Sequence, residues 1–164
     1  MNSDVSTKSM SALESEVVAL FVRVADLLNL PRSVGELYGV LYISEEPLCL
    51  DDLRLKLRIS KGSTSQGLKI LRSFGAIRKV YVPGDRKDFY VAESSLRKIA
   101  GGFASEQIQP HLESGSERLE QIRVLLEEEG RSEALEERVE RLENWQKRAN
   151  QVLPVVLKLI GGRG

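Results

Sequence analysis

A single cysteine, a single histidine, few aromatics and no net charge mark this chain, in which 24 basic residues are matched by 24 acidic ones. One Cys excludes an intramolecular disulfide and suits a reducing compartment. His111 follows Pro110 with no Cys or second His at ligand spacing, so neither a metal site nor a His-based catalytic centre is expected. No apolar run approaches the roughly 20 residues needed to span a bilayer, and the N-terminus lacks the apolar stretch of a signal peptide. A soluble, cytoplasmic protein with no membrane partner follows as the expectation. Phosphate loop, dinucleotide fingerprint and nucleophile elbow are all missing, which argues against an enzyme and gives no cofactor. The glutamates from Glu127 to Glu143 are dense on a helical pattern with arginines three or four residues away, the pattern of a solvated face rather than of paired catalytic carboxylates.

What is present is an uneven distribution of that balanced charge. Residues 51–98 carry twelve Lys or Arg against five Asp or Glu, a balance of +7, whereas residues 113–150 carry seven against eleven, a balance of −4. A basic module and an acidic one share the chain, and the basic one suggests a polyanionic partner.

The basic module also has a recognisable order of elements. Ser60 stands where a helix N-cap belongs, and Leu68, Ile70, Leu71 and Phe74 follow at helical spacing, with Gly75 as the stop. A helix over 61–74 buries one side and leaves Lys61, Ser63, Thr64, Ser65, Gln66, Lys69 and Arg72 for another. Gly62 and Gly67 would permit close approach of its backbone to a ligand. Ile77, Val80 and Val82 lead into Pro83-Gly84, and Phe89, Tyr90 and Val91 return, so residues 77–92 read as a two-stranded hairpin. Arg78, Lys79, Arg86 and Lys87 lie along it or at its tip. Two helices followed by a cationic hairpin is the arrangement of a winged helix-turn-helix facing DNA.

Gly39-Val40-Leu41-Tyr42, Pro47-Leu48-Cys49-Leu50-Asp51-Asp52-Leu53, Ile59-Ser60-Lys61-Gly62-Ser63-Thr64-Ser65 and Val82-Pro83-Gly84-Asp85-Arg86-Lys87-Asp88-Phe89-Tyr90 together resemble the MarR-like regulators, and more closely their GbsR-type branch. The likeness covers about the middle third of the chain well. It implies a homodimeric transcription regulator, expected to be a repressor, with its recognition helix in the major groove and its wing on the minor groove. Recognition contacts would fall on Ser63, Thr64, Ser65, Gln66 and Lys69. Wing contacts would fall on Arg86 and Lys87, with Asp85 placed to orient Arg86. Where the wider MarR pattern has several wing arginines, this chain reads Arg-Lys-Asp. The GbsR-type likeness also makes a quaternary amine such as choline a conceivable effector.

Flanking segments account for the remaining length. Ser11 with Glu14 forms a capping-box pattern, and Leu13, Val17, Leu20, Phe21, Val24 and Leu28 follow at helical spacing. Ser33 with Glu36 repeats that signal for a second helix, and a third runs from about Leu50 to Arg58. After the wing, Ser94 or Ser95 caps a helix that kinks before Pro110 and ends at Gly130. The last segment places Leu135, Val139, Leu142, Trp145, Ala149, Val152, Val156 and Leu159 at threes and fours, with Pro154 interrupting. The expected architecture is thus mainly α with a small β-hairpin wing. An N-terminal dimerisation helix occupies 1–32, the winged helix-turn-helix domain 33–93 and C-terminal dimerisation helices 94–164.

Two side-chain groups admit a sharp and a bland interpretation. Tyr38 and Tyr42, one helical turn apart, could line an effector pocket with Phe21 or Trp145, or could simply pack in the core. Cys49, between Leu48 and Leu50, could be a redox switch, but with no second Cys nearby a small buried hydrophobe is preferred. Two functional classes are left: a sequence-specific regulator of double-stranded DNA, and a winged helix that serves as a protein-interaction module with only weak DNA affinity.

Overall fold

The computed structural model describes residues 10–130 and 132–161. Residues 1–9 and 162–164, assigned above to the terminal helical segments, lie outside the described residues. The chain divides after Ile99 into two compact units.

In the first unit, α1 (Ala12–Leu27) begins at the capping box read from the sequence. Ser11 Oγ accepts from the Glu14 amide at 3.1 Å, and Glu14 Oε2 accepts from the Ser11 amide at 2.7 Å. α2 (Arg32–Ile43) does not start at Ser33 as expected. Pro31, with its φ preset at −55°, is the N-cap, and Glu36 pairs with Arg32 at 2.7 Å instead of reaching back to a serine. The two helices approach very closely at Gly35 and Gly39. A Cβ at Gly35 would lie 2.5 Å from the Phe21 carbonyl oxygen, and one at Gly39 would lie 2.7 Å from Val18 Cα.

β1 (Leu48–Cys49) runs directly into α3 (Leu50–Leu57), where Asp52 accepts from the Cys49 amide at 2.9 Å. Arg58 turns the chain with φ 55°, and α4 (Lys61–Ser73) follows. β2 (Ile77–Val80) and β3 (Phe89–Ala92) form the hairpin, with Ile77 opposite Ala92 and Val80 opposite Phe89. β1 adds to the free edge of β3, with Leu48 opposite Tyr90, so the sheet has three antiparallel strands in the order β1-β3-β2. The hairpin alone was legible beforehand; a two-residue strand has no periodicity to read.

Leu37, Val40 and Leu53 are fully buried at the centre of this unit, with Val34, Leu68, Leu71, Phe74 and Ile77 around them. Gly67 brings α4 onto α2, since a Cβ there would meet Leu37 Cδ1 at 2.4 Å. That glycine therefore serves helix packing rather than the approach of an external ligand. Tyr38 ties α2 to the chain after the wing, its hydroxyl donating to the Glu93 carbonyl at 2.6 Å.

The second unit contains the end of α5 (Leu96–Phe103), a π-helical turn over Ala104–Ile108, α6 (Gln109–Glu129) and α7 (Glu133–Gly161). The kink expected before Pro110 takes the form of that wide turn, placed where Pro110 has no N–H to continue the regular ladder. Gly130 ends α6 with φ 97°. α7 runs on through Pro154. The main expectation, a largely helical chain with a small antiparallel wing sheet, is borne out.

Candidate nucleic-acid interface

α4 is built to present one face. Ser60 Oγ accepts from the Ser63 amide at 3.1 Å and fixes the first turn. Thr64, Gly67, Leu68 and Leu71 turn inward, and Lys61, Ser63, Ser65, Gln66, Lys69 and Arg72 are exposed. Lys61, Ser65, Lys69 and Arg72 recur at fours and a three, so they share a stripe, with Gln66 beside it. Lys61, Lys69 and Arg72 have no ion-pair partner among the described residues.

Thr64 corrects the sequence-based assignment. It is fully buried, and its hydroxyl donates to the Ser60 carbonyl at 2.9 Å, so it locks the helix start and cannot reach an outside base. The error came from treating every polar residue on the helix as outward. Helical spacing places Thr64 with Leu68 and Leu71, on the buried side.

On the wing, Gly84 adopts φ 86° at the turn, and the Asp85 amide donates to the Val82 carbonyl at 3.2 Å. Asp85 Oδ1 accepts from the Lys87 amide at 2.9 Å, so it shapes the loop rather than orienting the Arg86 side chain. Arg86 is exposed with no ion-pair partner among the described residues. Lys79 and Lys87 are not so placed. Lys79 Nζ lies 2.5 Å from Asp88 Oδ2, and Lys87 Nζ lies 3.8 Å from Asp51 Oδ2 on the first turn of α3. Arg78 is exposed on β2 and helps hold the Glu93 carboxyl below its ordinary value, chiefly set by the Ser95 amide.

Sequence reasoning missed Asp51, Asp88 and Tyr81. Asp88 has no local signal, since its partner Lys79 lies nine residues back across the wing loop. Asp51 meets the wing only through tertiary structure. Tyr81, 81% exposed at the start of the wing loop, breaks the rule that a large aromatic seeks cover.

The structure brings Phe21, Tyr38 and Tyr42 together across α1 and α2. Phe21 meets Tyr38 edge-on at 4.7 Å and Tyr42 at 5.2 Å, and the two tyrosine rings lie 5.8 Å apart. Burial pushes the Tyr38 phenol well above its ordinary value. Trp145 belongs to the other unit, exposed on α7. Cys49 is buried as the N-cap of α3, and burial raises its thiol above the usual range, which disfavours the reactive thiolate. Among the described residues no cluster of three or more His, Cys, Asp or Glu could hold a metal ion, and no helix is long and apolar enough to cross a membrane.

No family model matches the chain. It is 37% identical over 87 residues to the HTH-type transcriptional repressor GbsR of Bacillus subtilis (strain 168), a match covering 53% of this chain and 48% of that protein. It is 26% identical over 88 residues to the HTH-type transcriptional repressor OpcR of the same organism, covering 52% and 48%. The chain thus spans about half the length of the curated relatives it matches. The fold is shared more widely. A solved structure described as a transcriptional regulator superposes with a TM-score of 0.61 at 20% identity, covering 92% of this chain and 99% of that one. The likeness to GbsR bears out the resemblance to GbsR-type regulators drawn from the middle of the chain, and the solved structure shows the shared fold.

Proposed function

We propose that the chain is a sequence-specific regulator of transcription that binds double-stranded DNA as a homodimer and represses its targets. The observation that carries this is the outward stripe of α4, where three cations with no ion-pair partner among the described residues flank short polar side chains on a helix pinned at its N-terminus. α4 enters the major groove with Ser63, Ser65 and Gln66 at base edges, while Lys61, Lys69 and Arg72 meet phosphates. Arg86 leads the wing into the adjacent minor groove, with Arg78, Lys79 and Lys87 beside the backbone. The names of the matched relatives agree with this reading and favour repression.

Exposed apolar seams support the dimer. Leu13, Leu20, Val24 and Leu27 line one side of α1, and Leu142, Trp145, Val152, Val156 and Leu159 line α7, both at steps of three, four or seven. A second copy would cover them and repeat the reading head. The Phe21–Tyr38–Tyr42 cluster is the proposed effector-sensing group, and a cationic or aromatic ligand would approach through Tyr42, whose ring is partly exposed.

The test is selection of duplexes from a random library at physiological ionic strength, where non-specific phosphate attraction is weak. Enrichment of a palindrome with half-sites about 34 Å apart is expected. Recovery of no motif, with only weak salt-sensitive binding, would move the assignment to a protein-interaction module.

A further inference from the structure

We infer that Asp51 and Asp88 act as built-in counter-ions of the wing, carboxylates that hold Lys87 and Lys79 until the phosphates of a nucleic acid displace them. The inference rests on the DNA-binding reading above and adds a determinant of affinity to it. The basic surface is divided by these contacts. Lys61, Lys69, Arg72 and Arg86 face solvent with no ion-pair partner among the described residues. Lys79 lies 2.5 Å from Asp88, and Lys87 lies 3.8 Å from Asp51. All four side chains stay wet, with exposures of 41% and 60% in the first pair and 58% and 52% in the second. Pairs so open to water are weak and exchange readily. Duplex DNA, with one charge per about 1.7 Å of its axis, is a far stronger field for an ammonium than one solvated carboxylate.

Exchange has a consequence beyond the broken contact. A lysine that moves to a phosphate leaves its carboxylate beside the same polyanion, where like charges repel and the carboxylate gathers a cation of its own. That uptake offsets one of the cations released from the DNA, so a held lysine adds less to affinity and less to salt dependence than an unpaired one. The two carboxylates differ in what they keep. Asp51 retains Arg54, whose Nε is 4.0 Å away, and the N-terminus of α3. Asp88 sits on the wing itself and gives up the shorter pair, so its effect is the larger.

The experiment compares the full chain with Asp88→Asn, Asp51→Asn and the double variant. Glu45→Gln serves as control, since it makes the same change in net charge at an exposed residue without an ion pair to the wing. Each protein is eluted from heparin with salt and titrated against the selected duplex at several salt concentrations. Asp88→Asn should elute later than the control, bind the duplex roughly two- to fivefold tighter, and steepen the slope of log affinity against log salt by about 0.9. Asp51→Asn should do the same to a smaller degree. With Lys79→Gln also present, the gain from Asp88→Asn should fall to that of the control. Elution and slopes that match Glu45→Gln, or weaker binding by the Asn variants, would overturn the inference and make the carboxylates supports for the wing. If no duplex binds while the heparin shifts remain, the DNA reading falls and the counter-ion role stands for another polyanion.

Discussion

The winged unit and the α6–α7 hairpin use apolar residues in opposite ways. In the first, Leu37, Val40 and Leu53 are fully buried, and glycines bring α2 against α1 and α4. In the second, Val139 is the only core residue among those described, although α7 carries Leu135, Leu142, Trp145, Val152, Val155, Val156 and Leu159. Polar groups join α6 to α7. Gln146 Nε2 donates to the Leu112 carbonyl at 2.6 Å and to Ser116 Oγ at 3.3 Å, Asn150 donates to Ser116 at 3.3 Å, and Arg123 grips Glu143 with two nitrogens. Gly115 makes room, since a Cβ there would crowd the Gln146 amide at 3.1 Å. Directional polar contacts help set the register of this hairpin, while Leu135, Leu142 and Leu159 of α7 stay exposed. The first unit closes a core of its own, whereas the hairpin leaves its apolar seam exposed.

The sharpest way to break this comparison is to cut a leucine from each side. Leu53→Ala should remove about 2–5 kcal/mol of unfolding free energy, the usual result of leaving a cavity at a fully buried position. Leu142→Ala, at 54% exposure, should remove well under 1 kcal/mol from the dilute monomer. Urea titrations at low protein concentration would measure both, and equal losses would mean that α7 has a core of its own.

Gly35→Ala comes next. Its new methyl would meet the backbone at Phe21 and Val22 within 2.8 Å, and backbone yields less than a flexible side chain. A loss of about 1–3 kcal/mol is expected, with a lowered thermal midpoint as the measurement. A midpoint unchanged from wild type would show that α1 can slide along α2 without penalty.

On the hairpin the matching prediction concerns assembly rather than folding. Trp145→Asp, at a position 72% exposed, should weaken self-association at least about tenfold, or 1.4 kcal/mol, while leaving the helical signal intact. Sedimentation across a concentration series reads this directly. An unchanged mass would remove the seam on α7 from the dimer interface.

Legibility followed the same division. The α4 helix and the wing were plain in the sequence because their signals are local: Ser60 as cap, Gly75 as stop and Pro83-Gly84 as turn. β1 was not, because two residues become a strand only by pairing with Phe89 and Tyr90. Thr64 was misplaced because a hydroxyl that bonds back to its own helix can be buried at little penalty, and residue type alone does not reveal that. The start of α2 was misjudged because Ser33 and Glu36 match the capping pattern while Pro31 already presets the entry angle. The carboxylates on Lys79 and Lys87 lay beyond spacing arguments, Asp51 above all, since 36 residues separate it from its partner.

A smaller effect tests how firmly the reader is set. Ser60→Ala removes the cap of α4 and should cost about 1 kcal/mol. Beyond stability, it should lower DNA affinity by loosening Ser63 and Thr64, seen as weaker binding to the selected duplex at constant salt dependence. A change in salt slope would instead mean that Ser60 orders a cation.

The smallest expected effect is one of pH, and it carries the comparison into electrostatics. Lys56 Nζ lies 2.5 Å from Glu14 Oε1, joining α3 to α1, and that bond together with the Ser11 amide holds the Glu14 carboxyl below its ordinary 4.5. Arg123 likewise holds Glu143 low in the hairpin. A carboxyl depressed in the folded state binds its proton more weakly there than in the unfolded chain. Its contribution is therefore complete above about pH 4.5 and is lost as pH falls through 4.5 towards the folded value. Lys56→Met should lower stability at neutral pH by about 0.5 kcal/mol, the scale of a pair within reach of water, and flatten the acid limb of the stability profile. Arg123→Met should flatten the acid limb of the hairpin in the same way. Folding followed by urea titration from pH 3 to 7 would separate the two, because a Lys56 effect should accompany loss of the buried core, whereas an Arg123 effect should appear in the helical signal of α6 and α7. If Lys56→Met leaves the acid limb as steep as wild type, the helix contacts at Gly35 and Gly39 are enough to hold α1 on the reader, and the ion pair only decorates a junction that packing has already made.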